Sequence, residues 1–351
     1  MNRTESARRL LLTAMRFSGS AKLATRFFGG RGVILMLHRV TDQHRTRLDL
    51  NGHLVVSPSY LDEVLTELRR LDYDLVSMDQ AIRRLKQPAT GRRFVAMTLD
   101  DGYRDNLVEA LPVFEKHSVP FTVYISPGLI YGETELWWEW LEAAVTFLNH
   151  VSIGVGAGMK RWETRTRPQK IKAFKALLKL FSTQVLEEKQ IEIIEQIKSS
   201  LRKAGHRPET SPLMSWREIQ QLARHPLCTI GAHSQHHYAL RRLDEATAYR
   251  EISDSLDTLQ GKLGLRSAHF AYPYGYESAV GPREAKLAKE AGIVSAVTTR
   301  HGLIQAEHID HLHELPRLSI NGRFQSLGHL RTLLSGLTVA LANRGRLVVT
   351  L

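Results

Sequence analysis

Phe94-Val95-Ala96-Met97-Thr98-Leu99-Asp100-Asp101-Gly102 is the stretch on which the fold and the chemistry both turn. A run suited to a buried strand ends abruptly in two carboxylates and a glycine. Adjacent carboxylates repel, and one becomes protonated unless a cation offsets them. Consecutive strand side chains point to opposite faces, so both acids can enter one site only where the strand stops, which Gly102 permits. The alternative is a solvated turn, since Asp-Asp-Gly is also good turn chemistry.

Outward from this stretch the same rhythm repeats. Apolar runs of about five residues lie at Val33–Leu37, Asp74–Ser77, Phe121–Ile125, Cys228–Ala232, His269–Tyr272, Val294–Thr298 and Arg317–Ile320, with helical stretches between them. Pro58–Leu71 is one such helix: Ser57 is its N-cap, Pro58 its first residue, and Leu61, Val64, Leu65, Leu68 and Leu71 its apolar stripe. Alternation of strand and helix through about eight units predicts an α/β fold with a parallel sheet and favours closure into a barrel, with a doubly wound sheet as the alternative. Residues 131–214 break the rhythm with a Trp-rich start and a Lys-rich helical stretch from about Pro168 to Leu201. They are read as an insertion between two barrel strands, within a domain spanning 31–335, followed by a tail at 336–351.

In parallel α/β folds reacting groups gather where strands end. His38 follows Val33–Leu37, Asp100-Asp101-Gly102 follows Phe94–Leu99, His233 and His237 follow Cys228–Ala232, and Pro273-Tyr274-Gly275 follows His269–Tyr272. Stability alone does not explain His, paired Asp and aromatic groups at four strand ends. His233-Ser234-Gln235-His236-His237 offers two imidazoles at i and i+4, suited on a helical turn to chelate one ion, with His236 as an i+3 substitute for His237. An exposed His-rich loop is the alternative. Asp101 as a third ligand would complete an open metal site of the kind that activates water and polarises a carbonyl. That chemistry is hydrolysis.

The 351-residue chain, 43% hydrophobic and 24% charged, is long enough for a large core, and wholesale disorder is excluded. Its one cysteine, Cys228, rules out an intramolecular disulfide and any zinc site built from cysteines. The net charge of +12 favours acidic partners. Residues 1–30 carry Arg3, Arg8, Arg9, Arg16, Lys22 and Arg26 against Glu5 as the one acid, with Leu and Phe interleaved. This basic amphipathic segment suits either a helix packed on the domain or peripheral contact with an anionic membrane. The apolar run Leu10–Met15 is too short for a signal sequence and no run spans a bilayer, so a cytoplasmic location is expected. No nucleic-acid motif accompanies the charge, and no nucleic-acid partner is expected.

At Thr98-Leu99-Asp100-Asp101-Gly102-Tyr103 and at His233-Ser234-Gln235-His236-His237 the sequence resembles the polysaccharide deacetylases, carbohydrate esterase family 4, also called the NodB-homology family. The first stretch matches T-F-D-D-G-[YH] with Leu99 in place of Phe, and the second matches H-[ST]-x-x-H in full. Ala271-Tyr272-Pro273-Tyr274-Gly275 partly matches the third motif. The resemblance implies a deformed (β/α)7-8 barrel of the NodB-homology type, with a divalent metal, usually zinc and otherwise cobalt or nickel. It also implies removal of N-acetyl groups from N-acetylhexosamine glycans, such as chitooligosaccharide-like or lipid-linked ones. By matching position, Asp101, His233 and His237 would bind the metal and Asp100 would deprotonate the metal-bound water. A backbone N–H near Tyr103 would hold the oxyanion.

The sequence departs from the family in three places. The third motif often starts with an Arg that orients the base, where Ala271 stands. Arg317, in Leu315-Pro316-Arg317, is the candidate replacement, with a surface ion pair as the alternative. No Asp-x-x-Asp-Trp motif is found, and Trp137-Trp138-Glu139-Trp140 stands in its place, either stacking on sugar or packing as a helix stripe. The general acid is assigned to His38 over His313, because a buried strand would hold His38 at the catalytic face; His38 bonding a neighbouring loop is the alternative. Tyr103, Pro273, Tyr274 and Trp138 are the expected substrate contacts. The competing readings are hydrolysis of another amide, such as a cyclic ureide or imide, and a non-catalytic carbohydrate-binding relative.

Overall fold

The structure, a computed structural model, describes residues 25, 27–43, 48–88, 91–155, 158–206 and 212–351. Its strands are β1 (Gly32–Leu37), β2 (Arg39–Val40), β3 (Val55–Val56), β4 (Asp74–Val76), β5 (Phe94–Leu99), β6 (Phe121–Ile125), β7 (His150–Val155), β8 (Gly158–Glu163), β9 (Cys228–Ala232), β10 (His269–Ala271), β11 (Ser295–His301) and β12 (Leu315–Ser319). Every apolar run singled out in the sequence is a strand. The order β1-β12-β11-β10-β9-β6-β5, closed by β1 against β5, makes a seven-stranded parallel barrel. β4 flanks it, pairing with β5 along Phe94–Ala96, while β6 pairs with β5 along Met97–Leu99. The doubly wound alternative is thereby excluded.

Alternation within the strands positions the site. On β1 and β5, Val33, Leu35, Leu37, Val95, Met97 and Leu99 join the core shared with the surrounding helices. Ile34, Phe94 and Ala96 face the barrel interior with Tyr124, Ala271, Val297 and Leu315. Continued by the two-residue period of a strand, the inward face carries His38 at the end of β1, Thr98 and Asp100 at the end of β5, and Arg317 within β12. These polar side chains therefore cap the apolar interior at the C-terminal ends of the strands.

Outside the barrel, α1 (Pro58–Arg70) is capped by Ser57, whose hydroxyl accepts from Tyr60 N–H at 3.0 Å. The next helix, α2 (Met78–Leu85), has a capping box of Ser77 and Gln80. Between β6 and β9 stand α3 (Trp137–Phe147), the β7–β8 hairpin, α4 (Arg167–Thr183) and α5 (Glu187–Lys203), with a core of their own that includes Trp137, Phe174, Leu177 and Ile194. The Lys-rich helical stretch is thus two helices. The hairpin went unread because β8 is exposed along almost its whole length and carries no apolar alternation. Glu142 on α3 accepts from Leu50 and Asn51 N–H at 2.8 and 3.0 Å, tying the insertion to the loop after β2. Beyond the insertion comes α6 (Glu245–Leu263).

The stretch read as a tail also packs: Leu337–Ala342 is helical, Val349 is buried, and its carbonyl accepts from His308. Of the basic segment 1–30, residues 1–24 and 26 lie outside the described residues. No helix among the described residues is long and apolar enough to cross a membrane.

The barrel interior sets one stringent packing condition. Tyr124 on β6 stands beside Gly231 on β9, where a Cβ would come within 2.3 Å of the Tyr124 ring. Gly231→Ala is expected to cost about 1–3 kcal/mol through overpacking. A lowered urea unfolding midpoint with unchanged denaturant slope checks this; an unchanged midpoint would show that the ring has room to move.

Candidate active site

The strands end level with one another. Asp100 N–H donates to the Leu37 carbonyl at 3.1 Å and His233 N–H to the Ile125 carbonyl at 2.9 Å. Directly after β5 the backbone turns left-handed twice, with φ of 74° at Asp101 and 75° at Gly102. Only this reversal lets the Asp101 side chain join the site beside Asp100, since continued strand geometry would point it outward. Both carboxyl groups are 2% exposed, which removes the solvated turn as a reading of Asp-Asp-Gly.

His233 and His237 do not lie on a helical turn. They sit on an irregular loop after β9, with φ of 58° at both Ser234 and His237. This strained loop aims both imidazoles at Asp101. Its Oδ1 lies 3.4 Å from His233 Nε2 and 3.2 Å from His237 Nε2. His236 faces the other way, its N–H and Nδ1 engaged by Glu251, so it does not substitute for His237. Asp101, His233 and His237 form a buried group whose ligand atoms lie within 4.8 Å of one another.

The protonation of this group tests whether a cation fits. His233 Nδ1 is 2.6 Å from the Ala271 carbonyl, which can only accept, so Nδ1 carries a proton and Nε2 is the nitrogen turned to Asp101. Nε2 of both imidazoles is thereby directed at one carboxylate oxygen, an arrangement that suits a cation between them. Burial pushes His237 below its ordinary pKa, disfavouring an imidazolium in that role. Burial alone would raise the Asp101 pKa, but the hydrogen bonds and charges of His233, His237 and His38 hold it well below the usual carboxylate range. An ionised carboxylate facing two imidazole nitrogens suits a divalent metal.

Asp100 has a different partner. Arg317 reaches it from β12 with a two-pronged contact, Nη1 to Oδ1 at 2.8 Å and Nη2 to Oδ2 at 2.7 Å. Two further donors are also spent, Nε on the Thr298 carbonyl at 2.9 Å and Nη1 on Thr98 Oγ1 at 3.1 Å. Arg317 is 1% exposed, so it is no surface ion pair. Burial would raise the Asp100 pKa; the Arg317 charge and hydrogen bonds, aided by His233 and His38, outweigh it and hold the carboxyl below its ordinary range.

Over these groups opens a cleft walled by Trp137, Trp138, Tyr274 and Tyr276, with His38 at its edge. The His38 side chain faces this cleft, and its carbonyl accepts from Asn106. His313 is elsewhere, its Nε2 bonded to the Ile293 carbonyl ahead of β11, at the opposite end of the barrel. Trp137 and Trp138 are packed and also line the cleft: their indole N–H groups donate to Tyr274 and Tyr103 hydroxyls at 2.8 and 3.0 Å. Tyr274 adopts φ of 63° and sets its ring against His237. Two expected contacts need correction. Tyr103 is fully buried, its ring beneath Trp138 and Arg39, and Pro273 is buried too; neither lines the cleft. The sequence reading missed Asn51, His53, Ser182 and Thr299, which enter the cleft from distant loops and the insertion. It also missed the Ala271 and Thr298 carbonyls, which carry no side-chain signal.

With this geometry in place, comparison with known proteins is decisive at the level of family. The sequence profile of the polysaccharide deacetylases matches residues 87–295, more than half of the chain. The chain belongs to this family. Carbohydrate deacetylation is accordingly its class of chemistry. Among solved structures it is similar to Streptococcus pyogenes deacetylase PplD in complex with acetate (18% identity, TM-score 0.53, covering 86% of this chain and 97% of that one). It is similar to IcaB from Ammonifex degensii (16% identity, TM-score 0.53, 87% and 98% covered) and to a de-N-acetylase from Aggregatibacter actinomycetemcomitans (12% identity, TM-score 0.51, 86% and 98% covered). At these identities the likeness establishes the deacetylase barrel fold. No protein of curated function matches the chain significantly.

The buried ion pair makes a stability prediction. Arg317→Ala should destabilise by about 3–5 kcal/mol, because it leaves the Asp100 charge buried without a partner. Adding Asp100→Asn should recover part of that loss, since no naked charge remains. Urea unfolding measures both; a single-variant cost typical of a surface residue would mean that the pair is not formed.

Proposed function

We propose that this polysaccharide deacetylase is a metal-dependent N-deacetylase of N-acetylhexosamine-containing oligo- or polysaccharides. The observation that carries the proposal is the juxtaposition of the buried cluster Asp101–His233–His237 with the clamped carboxylate Asp100, beneath a cleft walled by aromatic rings. Asp101, His233 and His237 would hold a divalent cation, zinc by the nature of the imidazole–carboxylate donor set, with cobalt or nickel as substitutes. Bound there, such a cation supplies Lewis acidity towards the acyl oxygen and lowers the pKa of water.

Each remaining role falls to the chain itself. Asp100, kept ionised by Arg317, accepts a proton from the attacking water. Addition of that water to the acetyl carbon gives a tetrahedral oxyanion, for which the Tyr103 backbone N–H is the assigned protein donor. His38, which lines the cleft and is not among the metal-ligand candidates, protonates the amine as the C–N bond breaks, releasing acetate and a free amino sugar. Trp138 and Tyr274 offer aromatic faces and edges to the sugar ring. A chitooligosaccharide-like or lipid-linked glycan suits this cleft, the latter reached through peripheral contact of residues 1–30 with an anionic membrane.

Acetate release from N-acetylglucosamine oligomers, compared with peptidoglycan fragments and cyclic ureides, tests the substrate class. Chelation should abolish release and added Zn²⁺ or Co²⁺ should restore it, while His233→Ala and His237→Ala lower the metal content. Full metal occupancy in both variants would refute the ligand assignment. Asp100→Asn should keep the metal and lose about 10²–10⁴-fold in turnover. For the acid, His38→Ala should retain metal, lose far more turnover than His313→Ala, and flatten the alkaline limb of the pH–rate profile. A damaging His313→Ala beside a mild His38→Ala would exchange the two roles.

A further inference from the structure

At the end of the barrel opposite the cleft, the chain leading into β1, the end of α2 and the start of β5 enclose a cavity of about 190 Å³ lined by Gly30, Arg31, Arg84, Arg92, Arg93 and Phe94. The distance from the catalytic rim is the length of β5, roughly 20 Å at strand rise, so this cavity is no part of the site already described. Four guanidinium groups surround it. Their charge is only partly answered: Asp74 pairs with Arg84, and Asp72 and Asp74 pair with Arg92 at 3.0 and 3.6 Å.

Arg31 and Arg93 are held differently. Arg31 Nη2 donates to the Arg84 and Gln87 carbonyls, both at 2.8 Å, and Arg93 donates to the Gly30 and Thr25 carbonyls at 3.2 and 2.7 Å. Among the described residues neither forms an ion pair with a carboxylate. Carbonyls fix the direction of a guanidinium without cancelling its charge, so the cavity keeps a net excess of two positive charges. Arg84 Nη1 is in addition buried with no hydrogen-bond partner. A donor left open in a preorganised cationic cavity is the arrangement that accepts a phosphate oxygen.

The surroundings indicate where such a phosphate comes from. Gly29-Gly30 joins the cavity directly to residues 1–28, whose six basic residues face one acid with Leu and Phe interleaved. Phe27, at the end of that segment, is 66% exposed. Phosphate-seeking arginines beside an exposed aromatic ring and a basic amphipathic segment match a bilayer surface, where headgroups meet acyl chains. We propose that the arginine cavity at the N-terminal end of the barrel binds the phosphate headgroups of an anionic membrane. The catalytic cleft would then face away from the surface, towards a glycan extending from it.

Co-sedimentation of the full chain with phosphatidylcholine vesicles, with and without phosphatidylglycerol, tests the proposal. Binding should require phosphatidylglycerol and weaken as salt rises. The double variant Arg84→Gln/Arg92→Gln should lower vesicle affinity on the order of tenfold or more, as expected for two basic groups at an anionic surface. Lys172→Gln/Lys175→Gln/Lys179→Gln removes more charge from the exposed face of α4 and should leave affinity nearly unchanged. Unfolding midpoints of both variants verify that each is folded. A chain lacking residues 1–24 should bind more weakly yet keep its dependence on Arg84 and Arg92. Equal losses from the lysine and arginine variants would overturn the proposal. So would full affinity in the arginine variant, or binding of inorganic phosphate by a chain that ignores the vesicles. None of these readouts depends on deacetylase activity, so their failure leaves the proposed reaction to its own test.

Discussion

Arg317 lies inside the barrel wall with every nitrogen of its guanidinium engaged, and its two-pronged grip on Asp100 joins β12 to β5 across the closed sheet. Burying a charge is costly, and the cost is met here only because the opposite charge and two neutral acceptors are already in place. The same contact sets the chemistry. It keeps Asp100 ionised in a dry environment and holds it still, leaving Asp101, one residue on, to face the imidazoles. Two adjacent carboxylates thereby acquire separate electrostatic partners: Asp100 answers to a guanidinium, and Asp101 to a pair of imidazoles.

That division depends on backbone conformations the chain adopts at a price. Asp101, Ser234, His237 and Tyr274 all have positive φ, and all lie at or beside the cleft. Left-handed non-glycine residues are unfavourable, and a cluster of them at one rim marks strain held for function. The seven-stranded barrel supplies the rigidity for this. The strand ends are brought together by parallel pairing around the closed sheet, with a register shift between β11 and β12, and the insertion between β6 and β9 adds the aromatic wall from outside.

How much of this was legible in the sequence follows from what each feature rests on. The strands were readable because apolar runs of five residues between amphipathic helices have few other meanings. The pairing of Asp100-Asp101-Gly102 with His233 and His237 was readable from residue type and placement at strand ends. The loop geometry was not: the i and i+4 spacing suggested a helical turn, whereas the two imidazoles converge through left-handed residues that no side-chain pattern announces. Tyr103 was misjudged for a related reason, since a motif tyrosine can act through its backbone while its ring is sealed under Trp138. Arg317 and His38 lie outside the stretch that matches the family, residues 87–295, and the register of β1 against β5 and of β12 against β1 brings them to Asp100. The insertion was recognised as helical, but its hairpin and its contribution of Leu178 and Ser182 to the cleft depend on tertiary contacts.

The central claim is that Arg317 acts on the reaction through Asp100 and not independently. A double-mutant cycle on acetate release from an N-acetylglucosamine oligomer, combining Asp100→Asn with Arg317→Met, measures this coupling directly. The account predicts strong non-additivity: each change alone lowers turnover severely, and Arg317→Met costs little more once Asp100 has lost its charge. Full additivity of the two losses would contradict it, because it would mean that Arg317 serves the reaction by a route that does not pass through Asp100.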